Sequence, residues 1–109
     1  MADSTDQAWQ RIETSELAQP GVSAGTGFGR NAGLRVSAKI FAIRMEEELV
    51  VKLPKERVQE LVDSGVGRPW GPGQRVMKEW VSLSPRAAAQ WQVLVEESRK
   101  FVGSELRAE

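Results

Sequence analysis

Two β-rich runs, Arg-Val-Ser-Ala-Lys-Ile-Phe-Ala-Ile-Arg over 35–44 and Leu-Val-Val-Lys-Leu over 49–53, are divided by Met45-Glu46-Glu47-Glu48. An acidic break of this kind does not sit in a core, so the pattern predicts an antiparallel hairpin at the centre of a small sheet. Leu34 and Val36 open the first strand, Lys39 to Arg44 form the second and Leu49 to Leu53 the third. Side chains alternate along a strand. With Leu49, Val51 and Leu53 turned to the helices, Val50 and Lys52 turn away; with Phe41 and Ile43 turned in, Ile40, Ala42 and Arg44 turn out. The outer face then carries Arg35, Arg44 and Lys52 around an apolar centre of Ile40 and Val50.

Three amphipathic stretches supply the cover. Residues 4–18 place Trp9, Ile12 and Leu17 near one helical face, Ser4 and Gln7 have capping-box spacing, and Pro20-Gly21 ends the helix. The apolar stripe is thin, so this helix lies on the sheet surface or is partly mobile. A second helix starts at Leu53-Pro54, carries Val58, Leu61 and Val62 on one side and stops at Gly65. Ser84-Pro85 starts the third, whose inner side is Ala87, Trp91, Leu94, Val95, Ser98, Phe101 and Val102. The glycine-rich segment 21–33 reads as a lead-in to the first strand. Residues 65–73 read as a loop around Trp70, and Gln74 to Met77 with Trp80 to Leu83 as two short strands or one bent strand. Strands grouped between helices predict an α+β two-layer domain, α-β(3)-α-β(2)-α, with one twisted antiparallel sheet packed by helices. A length of 109 residues predicts a single domain over 1–109, with 1–19 as N-terminal helix and tail and 20–106 as core.

Composition narrows the chemistry. Lys+Arg and Asp+Glu number 15 each, a balance unlike the electrostatic footprint of a dedicated nucleic-acid or anionic-membrane protein. With no Cys and no His, there is no disulfide framework, no thiolate nucleophile and no imidazole for zinc or general-base work. The polar N-terminus and the lack of an apolar run of about 18 residues predict a soluble cytoplasmic protein without membrane contact.

Gly27-Phe28-Gly29-Arg30-Asn31-Ala32 matches a G-x-G-x-x-A fingerprint, but that motif holds pyrophosphate only between a strand and a helix, and here it leads into a strand. Glu46, Glu47 and Glu48 read as a solvated turn, and Ser23 and Ser37 have no His partner. These residues therefore assign no catalytic group, no metal and no cofactor. The candidate binding residues are Arg35, Arg44 and Lys52 on the open sheet face, and Arg68, Trp70, Arg75 and Lys78 around the loop. Arg and Trp are enriched at interaction hot spots, so the first reading is a protein partner or a second copy of the chain, docking on an exposed apolar patch of the outer face or on the Trp70 loop. The alternative is nucleic acid, with Trp70 stacked on a base and Arg30 or the same cations on phosphates. Trp70 can equally fold back over the core edge.

One family shares these features. Pro20-Gly21-Val22 through Gly25-Thr26-Gly27-Phe28-Gly29, Leu34 to Val36, Lys39-Ile40-Phe41-Ala42, Leu49 to Leu53, Met77-Lys78-Glu79-Trp80-Val81 and the closing helix through Trp91 and Phe101 resemble the YjbR/MmcQ-like proteins and the related N-terminal domain of TfoX competence regulators. The resemblance implies a two-layer domain like that of secretion chaperones. It also implies the DNA-binding-like role often attached to the group.

Overall fold

Six strands form one antiparallel sheet in the computed structural model, which describes residues 4–26, 31–71 and 75–107. In chain order the elements are α1 (Ser4–Leu17), β1 (Val22–Thr26), β2 (Ala32–Val36), β3 (Lys39–Met45), β4 (Glu48–Lys52), α2 (Lys55–Asp63), β5 (Gly67–Pro69), β6 (Trp80–Leu83), a 3₁₀ turn (Pro85–Ala87) and α3 (Ala88–Arg107). The strands lie in the order β1-β2-β3-β4-β6-β5. The α+β two-layer architecture is as the pattern predicts, with two differences in strand count and place. The glycine-rich lead-in contains a strand of its own, β1, which pairs with β2 from Val22↔Val36 to Thr26↔Ala32. The predicted strand at Gln74 to Met77 is absent over its described residues, 75–77, and β5 lies instead inside the stretch read as loop.

The hairpin at the centre forms as expected, through a two-residue turn at Glu46-Glu47 in which Glu46 has φ of 56°. Its facing does not follow simple alternation. Leu34 pairs with Ala42 while Arg35 pairs with Ile40, so Phe41 is an extra residue in β3, a β-bulge. One inserted residue reverses the phase of everything after it. Phe41 and Ala42 both enter the helix-side core, Ile40 and Ile43 both lie on the outer face, and Arg44 turns inward. The expected outward Ala42 and Arg44 and inward Ile43 are all overturned by this single insertion.

A bulge leaves ladder groups unpaired, and α3 answers for one of them. The buried Ser98 hydroxyl lies 2.9 Å from the Phe41 carbonyl and 2.6 Å from the Lys52 carbonyl, within donating reach of either. Around it Trp91, Leu94, Val95 and Val102 of α3 pack on Phe41, Leu49, Val51 and Leu53. Ser84 caps the 3₁₀ turn that leads into α3 by accepting from the Arg86 N–H, and its carbonyl accepts from the Trp91 indole N–H at 3.1 Å.

The other two helices are clasped to α3 by charge. Glu16 of α1, 3% exposed, accepts from Arg99 Nε at 2.7 Å, and Arg57 of α2 donates from Nε to Glu97 at 2.9 Å. The Glu97 carboxylate raises the Arg57 pKa above its ordinary value. The buried side of α1 is Thr5, Ala8, Trp9, Ile12 and Glu16, while Leu17, expected on that side, is exposed. The capping box begins at Ser4, whose side chain lies outside the described residues. Pro54 is the N-cap of α2 rather than its first helical residue, and Gly65 follows the Ser64 C-cap with φ of 83°.

The outer face has a second, smaller core. Ile43, Val50 and Trp80 are buried there, packed by Ile40 and Met45 of the same strand as Ile43 and by Trp70 and Met77 from the chain between β5 and β6. The apolar patch expected on this face is therefore largely covered, with Val50 fully buried and Ile40 half-buried. Ser98→Ala should destabilise the fold by about 1–3 kcal/mol, the cost of stranding a buried carbonyl, although alanine is the better helix former. Urea unfolding followed by circular dichroism measures it, and an unchanged midpoint would remove Ser98 from this role.

Candidate binding cleft

Two hydrogen bonds fold the chain between β5 and β6 on itself and one ties it to the end of β4. The Trp70 carbonyl accepts from the Met77 N–H at 2.9 Å, the Met77 carbonyl from the Trp80 N–H at 3.1 Å, and the Glu79 carbonyl from the Leu53 N–H at 2.9 Å. At its base the Trp70 and Trp80 rings meet at 6.0 Å and 54°, a tilted contact. Trp70 is half-buried on Trp80 and so adopts the fold-back arrangement rather than standing free.

Between this segment and α2 lies a cleft of about 450 Å³. Val58 and Val62 of α2 form one wall, Met77 and Trp80 the other, and Val76, 61% exposed, stands at the rim. A second depression of about 610 Å³ adjoins it, sharing Val76 to Lys78 and Trp80 and adding Lys52, Arg75 and Glu79. The polar rim of the two together is Lys52, Lys55, Arg75 and Lys78 against Glu56 and Glu79, with Gln59 beside them. Lys52 Nζ is 3.9 Å from Glu79, and Arg75 and Lys78 are exposed.

The seven candidate residues do not form one site. Lys52, Arg75 and Lys78 come together at the cleft. Arg68 and Trp70 lie beside the acidic turn, where Arg68 donates from Nε and Nη2 to Glu48 at 3.1 and 2.8 Å and the Ser82 hydroxyl donates to the same carboxylate oxygen. Glu48 is thus tied into the sheet, whereas Glu46 and Glu47 are the solvated turn expected. Arg35 does lie on the outer face, far along the sheet on β2, with its guanidinium over Gly25 and Nη2 donating to the Thr26 carbonyl at 2.8 Å. Arg44 is a correction: its side chain, 10% exposed, lies 5.6 Å over the Trp91 ring, donates to Thr5 and the Glu46 carbonyl, and pairs with Asp6 at 3.2 Å. The bulge at Phe41 puts it there. Arg30 and most of the G-x-G-x-x-A match lie outside the described residues.

The cleft's apolar lining was not legible as a site. Val58 and Val62 read as a core stripe and Val76-Met77 as strand interior; the available signal was an apolar pair separated by two residues from Gly71-Pro72-Gly73. Among the described residues no group of His, Cys, Asp and Glu is placed to hold a metal ion, and no helix is long and apolar enough to cross a membrane. Comparison with family models, curated proteins and solved structures finds no match to the chain.

Gly71 lies against the backbone of Arg75 and Val76, two residues that line the cleft. A Cβ built there would collide with the Arg75 carbonyl oxygen and fall 2.7 Å from its carbon, so the backbone would have to part. Gly71→Ala should cost about 1–3 kcal/mol, the scale of overpacking, and should shift Trp emission to the red as the Trp70–Trp80 contact opens. Unchanged emission and stability would show that the segment does not depend on this approach.

Proposed function

We propose that this chain is a non-enzymatic binding module that takes an apolar segment of a protein partner, flanked by acidic residues, into the cleft between α2 and residues 75–80. The observation that carries the reading is Val76, a large apolar side chain left 61% exposed at the rim of an apolar groove whose cations outnumber its carboxylates. Grooves of this kind accept one or two apolar anchors of a peptide, with the rim fixing orientation by charge.

The nucleic-acid alternative draws less support. Counterion-releasing contact needs cations free to meet phosphates. Arg44, Lys52 and Arg68 each face a carboxylate of the same chain, Arg44 from within the helix layer. Kinship with the YjbR and TfoX N-terminal families belongs with this proposal: the α+β sheet with flanking helices agrees with it, and the resemblance itself rests on the sequence motifs.

Selection of a random peptide library on the immobilised protein should enrich peptides with an apolar centre and acidic flanks. Val76→Asp and Lys78→Glu should each weaken a selected peptide by about tenfold or more, the effect of roughly 1.4 kcal/mol. Val93→Asp, at an equally exposed valine on α3, should leave binding unchanged. Enriched peptides indifferent to Val76 and Lys78 would sink the assignment. Saturable binding of a mixed-sequence DNA duplex, with log affinity falling linearly with log salt, would replace it by the nucleic-acid reading.

A further inference from the structure

The two edges of the sheet are treated differently. β5 is three residues long, contains Pro69 and carries Arg68, features that discourage pairing, and α2 lies against it. At the opposite edge β1 is Val-Ser-Ala-Gly-Thr, without charge, proline or bulge, and Ser23, Ala24 and Thr26 are exposed. Among the described residues, no element pairs with its outer side.

The direction of its hydrogen bonds follows from the ladder. The Ser37 N–H donates to the Gly21 carbonyl at 2.9 Å, so residues 21, 23 and 25 point their backbone groups to β2, and Val22, Ala24 and Thr26 point theirs outward. Two of the outward groups are already matched within the chain. The Val22 N–H donates to the Gln19 carbonyl at 3.3 Å, and the Thr26 carbonyl accepts from Arg35 Nη2 at 2.8 Å. What remains is the Val22 carbonyl, the N–H and carbonyl of Ala24, and the Thr26 N–H.

That remaining set is self-complementary. Place a two-fold axis at Ala24 with a second β1 running antiparallel: each Ala24 N–H meets the other Ala24 carbonyl, and each Thr26 N–H meets the other Val22 carbonyl. The groups that would otherwise face each other across the axis, the Val22 N–H and the Thr26 carbonyl, are the two already satisfied by Gln19 and Arg35. An unrelated strand laid on the same edge would find those two positions occupied and would leave its own donor and acceptor unmatched. No charged side chain of β1 is opposed to its own copy.

From this pattern we infer that β1 is a homodimerisation edge, joining two copies of the chain into one continuous twelve-stranded antiparallel sheet about Ala24. This rests on β1 alone and is independent of the cleft. Sedimentation equilibrium of the full chain across a wide concentration range is the test. The wild type should show twice the monomer mass at high concentration and dissociate on dilution. Ala24→Pro removes an outward N–H that β2 does not use, and Ala24→Lys puts two like-charged lysines directly opposite each other, on Cα atoms about 5.5 Å apart. Both should sediment as monomers with the wild-type far-ultraviolet circular dichroism; if the proline variant misfolds, the lysine variant decides. A wild type that stays monomeric at every concentration overturns the inference and leaves the edge to another chain's strand. A dimer that survives both substitutions overturns it too, since another surface would then be responsible.

Discussion

The extra residue at Phe41, answered by the Ser98 hydroxyl, is the constraint on which both layers depend. Without it β3 would present Phe41, Ile43 and Met45 to the helices and Ile40, Ala42 and Arg44 to the other side. With it the strand places Phe41 and Ala42 together under α3, and sends Ile43 out to join Val50 and Trp80. A bulge in a central strand is tolerable only if its freed backbone groups find partners. Ser98 lies within reach of both the Phe41 and the Lys52 carbonyls from a helix far away in sequence, so one hydroxyl links the bulged strand to the seating of α3.

Two consequences for charge follow. Arg44 is carried into the helix layer, where Thr5, Asp6, the Glu46 carbonyl and the Trp91 face surround its guanidinium. Arginine suits such a place because its fork can satisfy several acceptors at once while its plane lies on a ring. The same side chain ties the start of α1 to the central hairpin turn, which with the Glu16–Arg99 pair holds a helix whose apolar stripe alone is thin. Arg68 and Lys52 meanwhile face Glu48 and Glu79 on the outer side. Cations that look like a basic ring in the sequence act mainly as internal ties.

This explains which parts of the fold and of the site were legible. α3 could be read nearly residue by residue, since Ser84-Pro85 and a helical stripe from Ala87 to Val102 are local signals that the tertiary structure obeys. The hairpin was legible for the same reason. The facing of β3 was not: Phe41-Ala42 carries no glycine or other mark of a bulge, and the deciding partner lies 57 residues on. β1 was hidden because glycine and serine weaken β propensity, yet an edge strand bonded on one side needs little from its side chains. β5 was hidden among Gly and Pro, the residues that protect an edge and also mark a loop. For the site, three of seven candidates converge because Arg75 and Lys78 lie on one folded-back segment and Lys52 on the strand beside it, while Val58 and Val76 belong to a cleft that exists only once α2 and that segment meet.

The strand order places the two surfaces at opposite ends of the molecule. β1 is the first strand of the sheet and β6, which lines the cleft through Trp80, the fifth, so four strand spacings separate them, about 19 Å at 4.8 Å each. Pairing through β1 would therefore leave both clefts open and turned outward at the far ends of one sheet. A partner with two apolar anchors on one chain would then meet two clefts held at a fixed separation, and its second contact would be intramolecular, gaining avidity without any new contact. A partner with a single anchor would gain nothing from the pairing. The span between the clefts, rather than the affinity of either one, would set which partners such an assembly prefers.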